Sequence, residues 1–175
     1  ILFITIAVSA GSGALISKAA PAGNAIAAAA ELEKMGVPVQ KDPKGVVRWI
    51  EAREGEMTDK ALSLLPQLPD LEWLEIGNGG LTPEGMKHLE KCASLKRLYV
   101  YEQNFEGAEL EWLSGLTRLE ALSLQHTRID GKFLKHLKAA ETLKVLNLSG
   151  NMIDDSAMEG IVPLKKLEVL ALEGT

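Results

Sequence analysis

Leu71-Glu72-Trp73-Leu74-Glu75-Ile76 returns 24 residues later as Leu95-Lys96-Arg97-Leu98-Tyr99-Val100. It returns again as Leu119-Glu120-Ala121-Leu122-Ser123-Leu124, as Leu143-Lys144-Val145-Leu146-Asn147-Leu148 and as Leu167-Glu168-Val169-Leu170-Ala171-Leu172. One step of 24 back from Leu71 stands a weaker copy, Val47-Arg48-Trp49-Ile50-Glu51-Ala52. A fixed period of roughly 20–50 residues marks a stacked array in which each unit is one small structural element.

Working outward from these segments, the rest of each unit repeats as well. Met57, Leu81, Phe105, Ile129 and Ile153 share one column, and Leu62, Met86, Leu110, Leu134 and Met158 the next. Leu65, Leu89, Leu113, Leu137 and Ile161 form a third, and Leu68, Cys92, Leu116, Ala140 and Leu164 a fourth. Alternation in the first segment gives way to three-residue steps, as in Leu134, Leu137 and Leu143, which reads as a strand passing into a helix. Thr82-Pro83-Glu84 sets a capping hydroxyl before a proline at the first helical position, and Thr58, Asp130 and Asp154 occupy the slot of Thr82.

The pattern Leu-x-x-Leu-x-Leu-x-x-(Asn/Thr/Cys)-x-Leu over residues 47–175 resembles the leucine-rich-repeat family. Thr127-Arg128-Ile129-Asp130 and Asn151-Met152-Ile153-Asp154-Asp155 resemble its bacterial 24-residue form. The resemblance implies an α/β fold, a leucine-rich-repeat solenoid with a curved parallel sheet on the concave face and helices on the convex face. It also implies a polar side chain at the ninth position that bonds to backbone in the bend after the strand. Gln103, Thr127, Asn151 and Thr175 fit that role, whereas Gly55 and Gly79 do not, so a looser ladder is expected in the first two units.

A stack needs a cap where its core would meet water. Residues 23–46 are read as an N-terminal helix-strand cap. Asn24 would cap a helix through Ala25–Ala30 to Met35, with Ile26, Ala29, Leu32 and Met35 inward, and Gly36 would end it. Val37-Pro38-Val39 would be an edge strand, and Asp42-Pro43-Lys44-Gly45 the turn into the repeats. Residues 1–22 are set apart. Ile1 to Val8 is an almost unbroken apolar run followed by Ser9-Ala10-Gly11-Ser12-Gly13, matching the core and cleavage zone of a signal peptide. A membrane anchor and a buried strand are the other readings. Either of the first two would make the protein exported or membrane-anchored. The chain starts without methionine and stops within a unit, about five and a half units in, and reads as a fragment.

Composition narrows the chemistry. Net charge is −5 without any block of like charge, so the basic footprint of a nucleic-acid binder is missing and no such partner is expected. The single cysteine, Cys92, permits neither an intrachain disulfide nor a multi-cysteine metal site, and its apolar column reads as a buried hydrophobe. His88 and His136 share a helix column with Trp112 and read as solvated. His126 lies past a strand end with no serine or cysteine motif around it. No phosphate loop, dinucleotide fingerprint or zinc motif is present, so neither a cofactor nor a metal is expected.

Strand alternation directs positions one, four and six inward and positions three, five and seven out of the concave face. The outward set begins Trp49, Glu51, Arg53; Trp73, Glu75, Gly77; and Arg97, Tyr99, Tyr101. Later strands give Ala121, Ser123, Gln125; Val145, Asn147, Ser149; and Val169, Ala171, Glu173. Two of the three tryptophans and both tyrosines therefore fall on the first three strands. Trp, Tyr and Arg are the residues enriched at binding hot spots. Trp49, Trp73, Arg97, Tyr99 and Tyr101, flanked by Glu51 and Glu75, are the expected contact patch for a protein or glycan partner. The function read from this is a non-catalytic protein-binding module; the alternative is a targeting module for an enzyme domain elsewhere in a longer chain.

Overall fold

The computed structural model describes residues 22–175 apart from 54 and 140. The segment read as a signal peptide or anchor lies outside the described residues but for Ala22. Six strands form a parallel ladder: β2 (Val47–Ala52), β3 (Trp73–Ile76), β4 (Arg97–Tyr101), β5 (Ala121–Gln125), β6 (Val145–Asn147) and β7 (Val169–Ala171). They lie side by side in chain order, each in register with residues 24 away: Trp49 beside Trp73, Trp73 beside Arg97, Arg97 beside Ala121. A short β1 (Val39–Lys41) pairs antiparallel with β2 at the first edge.

The register follows from burial. Leu74, Ile76, Leu98, Val100, Leu122 and Leu124 are all buried under the sheet, and a one-residue slip would turn every one of them out. The second column of the strands adds a polar constraint. Arg48, Glu72, Lys96, Glu120, Lys144 and Glu168 alternate in sign down the stack. Arg48 meets Glu72 at 3.4 Å, Lys96 meets Glu72 at 2.9 Å, and Lys144 meets Glu120 at 3.7 Å. Each such exposed pair contributes about 0–1 kcal/mol.

The return path of each unit differs from the expected α-helix. It holds single α-turns, α2 (Asp59–Leu62), α3 (Pro83–Met86) and α4 (Met158–Ile161), and longer 3₁₀ stretches at Lys87–Lys91, Glu111–Gly115 and Gly131–Ala139. The apolar columns explain this. Leu110, Leu113 and Leu116 are spaced by three, and a 3₁₀ helix with three residues per turn puts them on one line, where a 3.6-residue helix would let them drift. The capping side chains behave as read: Thr58 Oγ1 accepts from Ala61 N–H at 3.2 Å, Thr82 Oγ1 from Gly85 N–H at 3.0 Å, and Asp130 and Asp154 from the amides two residues on.

In the bend after the strand, Asn151 Oδ1 accepts from the Thr127 and Ile129 amides, and its Nδ2 donates to the Leu124 and Leu148 carbonyls. Thr127 Oγ1 donates to the Leu124 carbonyl at 2.9 Å. The ninth-position side chain thus serves the preceding unit as well as its own. Gly79 has no side chain to offer, but Gln103 reaches back from the next unit, donating to the Gly77 carbonyl at 2.7 Å and accepting from the Leu81 amide at 3.0 Å. The backbone at Gly79 lies so near that of Met57 and Gly55 that an added Cβ would sit 3.2 Å from the Met57 carbonyl oxygen. The second bend is therefore bonded and closely stacked, not loosened by its glycine.

Ahead of β1, α1 (Ala22–Lys34) lies against the turn at Leu65–Gln67. Asn24 sits inside this helix, not at its cap, and Ile26 is 70% exposed. Ala29, Leu32 and Met35 pack inward as expected, and Ala25 and Ala28 complete the stripe of threes and fours in place of Ile26. Val37 is buried ahead of the strand, which begins at Val39 and not at Val37. The turn forms at Asp42–Gly45, where Gly45 takes φ +79°.

Candidate binding face

The outward column of the sheet assembles in the order that the register dictates. Arg97 Cζ lies 5.2 Å from the Trp73 ring centre, a cation–π contact worth about 0.5–1 kcal/mol at an exposed site. The Trp73 and Tyr99 rings are 5.7 Å apart and tilted at 48°, and Tyr99 stacks on Tyr101 at 6.4 Å and 23°. Arg97, Trp73, Tyr99 and Tyr101 are thus one continuous run of side-chain contacts across β3 and β4. Trp49 joins it by strand register only: it is paired with Trp73 on one side and Gln40 of β1 on the other, and is 37% exposed. Packing at the first edge therefore leaves part of its ring open to solvent.

Glu51 and Glu75 are register partners. Arg53 reaches Glu51 at 3.7 Å. Glu75 is half-buried, and burial, followed by the neighbouring Glu51 charge, raises its carboxyl above the usual range, with Arg53 pulling the other way. Burial also raises the phenols of Tyr99 and Tyr101 above the ordinary tyrosine range. Trp73 Nε1 is shut off from solvent and meets no hydrogen-bond partner among the described residues. Ala121 and Ser123 follow Arg97 and Tyr99 in register and are buried, as small side chains beside large ones are. The face is accordingly raised and aromatic over β3–β4 and recessed at β5.

The remaining polar candidates separate. Cys92 is buried, and burial pushes its thiol up to about 12, which removes the thiolate at neutral pH. His126 is exposed in a left-handed bend, φ +53°, with its ring over Gly150. His88 is exposed, but His136 departs from the solvated reading: its side chain is only 18% exposed and its Nε2 is sealed from solvent without a hydrogen-bond partner among the described residues. The cause is its column, since Trp112 one unit earlier is buried on the same flank. Glu109 and Glu111 approach this imidazole from the third unit, a grouping that sequence reading missed.

No family profile matches the chain, and no curated protein does. Solved structures do. An internalin (inlF) from Listeria monocytogenes is 26% identical with a TM-score of 0.54, over 62% of this chain and 30% of that one. Internalin C2 from the same species is 21% identical with a TM-score of 0.53, over 63% of this chain and 45% of that one. The leucine-rich-repeat ectodomain of the receptor kinase SOBIR1 from Arabidopsis thaliana is 18% identical with a TM-score of 0.55, over 87% and 93%. The chain spans less than half the length of either internalin. Among the described residues no helix is long and apolar enough to cross a membrane.

Proposed function

Since the chain is a leucine-rich-repeat protein, we propose that it is a non-catalytic binding module that docks a protein partner on the concave face of its sheet. The observation that carries this reading is the run Arg97–Trp73–Tyr99–Tyr101, already held in mutual contact without a partner. Anchors ordered in advance lose little side-chain freedom on binding, so more of their contact energy appears as affinity. The two carboxylates beside the run, Glu51 and Glu75, supply a polar rim and favour partners that offer a cation there. A scaffold hosts many functions, so these side chains, and not the solenoid alone, would set the choice of partner. Export fits the same reading: it draws on the apolar run Ile1–Val8 and on the ectodomain and internalin likenesses.

The test is capture from envelope and extracellular fractions by the intact chain, followed by affinity measurement on the purified partner. Trp73→Ala and Tyr99→Ala should each weaken binding by about 30-fold, the effect of a hot spot of roughly 2 kcal/mol. Val169→Ala, exposed in the last strand, should change it little. Unaltered affinity in both aromatic variants, with the fold intact by circular dichroism, would overturn the proposal.

A further inference from the structure

Around the return segments of the stack, three side chains from two successive units converge. Glu109 and Glu111 stand on either side of Leu110, whose buried side chain and left-handed backbone (φ 49°, ψ 35°) turn the chain at the start of the Glu111–Gly115 helix. His136 belongs to the 3₁₀ stretch Gly131–Ala139 of the next unit. One donor atom from each of the three lies within 4.8 Å of the other two, and His136 Nε2 is 3.7 Å from Glu109 Oε2. They line a cavity of about 630 Å³ that is also walled by Trp112 and Glu84.

We infer that Glu109, Glu111 and His136 form a binding site for a divalent transition-metal ion of the zinc class, clipping the third repeat unit to the fourth. Two independent observations meet here. The first is the donor geometry. Zinc binds imidazole nitrogen and carboxylate oxygen at about 2.0–2.2 Å, so donors around a tetrahedral ion lie about 3.4 Å apart. His136 and Glu109 are already near that separation, and the exposed Glu111 brings a carboxylate oxygen within 4.8 Å of both. The second is the imidazole itself. Its Nε2 is sealed from water yet unbonded among the described residues, a state that native proteins seldom leave uncompensated and that an ion would relieve.

The surroundings suit a cation. Lys135 Nζ hydrogen-bonds Glu109 Oε2, the oxygen that faces His136, so an ammonium neutralises the carboxylate that the metal would take. That bond is the main reason the Glu109 carboxyl is held below its usual range. Lys135 is exposed and can swing away, exchanging one cation for another. The ligand set selects the ion class. Calcium and magnesium favour oxygen alone, whereas one imidazole with two carboxylates suits zinc and its neighbours. Three protein ligands leave a fourth position for water or for a side chain of another molecule.

The experiment is zinc titration of the full chain, stripped with EDTA, by calorimetry and thermal melting. One zinc per chain and a rise in melting temperature are expected. Cobalt as a probe should give visible absorption bands that His136→Gln abolishes. Glu111→Gln and His136→Gln should each weaken zinc binding by at least about 10-fold. Lys135→Ala should tighten it, and His88→Ala should leave it unchanged. Glu111 is exposed, so its variant reports on the site even if His136→Gln disturbs packing. Absence of saturable uptake, or uptake that Glu111→Gln and His136→Gln leave as it was, overturns the inference.

Discussion

The carboxamide of Asn151 bonds two amides and two carbonyls drawn from adjacent units, all in a buried bend. Truncation to Asn151→Ala takes this partner from the Thr127 and Ile129 amides and the Leu148 carbonyl, while the Leu124 carbonyl keeps Thr127 Oγ1. An orphaned buried polar group costs about 1–3 kcal/mol, so a loss of about 3 kcal/mol is expected even with partial relaxation, read as a lowered urea midpoint. Asn151→Asp should fare little better, because a carboxylate turns acceptor oxygens toward the Leu124 and Leu148 carbonyls. That Asn151 belongs to the bend was legible in the repeat, since position nine recurs as a polar side chain. Its service to the preceding unit was not legible, because reach across a stack depends on side-chain length and direction. Gln103 makes the point: one methylene longer than Asn, it supplies the bend that Gly79 leaves bare.

At the scale of the element, the short return segments approach one another through their backbones. A Cβ placed on Gly115 would lie 2.1 Å from the carbonyl oxygen of Glu90, so the helical turns of the second and third units pack without a side chain between them. Gly115→Ala should cost about 1–3 kcal/mol by forcing the turns apart, and amide hydrogen exchange should localise the loosening to Lys87–Lys91 and Glu111–Gly115. The strands were fully readable because alternation admits one register. The helical type was readable only in hindsight, from columns that step strictly by three. In the first helix Ile26 alone was misplaced, for a different reason. Ala25 to Ala30 offers several equivalent small residues, and no amphipathic contrast chooses among them, so Ile26 looked as good a core residue as Ala28. Neither the ring contacts of Trp73, Tyr99 and Tyr101 nor the approach of Glu109 and Glu111 to His136 can be read from spacing alone. Yet overlaying the units puts Glu111 in the column of Lys135, one place from His136, which was the available clue.

For the molecule as a whole, a stack whose units are all 24 residues long can in principle be cut and rejoined without disturbing its leucines. The charged column sets a stricter rule. Arg48, Glu72, Lys96, Glu120, Lys144 and Glu168 give the array a grammar of alternating signs, so its electrostatic period is two units although its packing period is one. Excision of residues 119–142 would bring Lys96 beside Lys144, like against like, whereas excision of 95–142 would bring Glu72 beside Lys144 and preserve the alternation. Directly opposed like charges on neighbouring strands destabilise, and salt screens them. The single excision should therefore gain stability as salt is added, and the double excision should lose a little or stay level, as thermal melts at low and high ionic strength would show. An array read this way lengthens or shortens most smoothly in pairs, with odd steps needing a compensating charge change at the new seam.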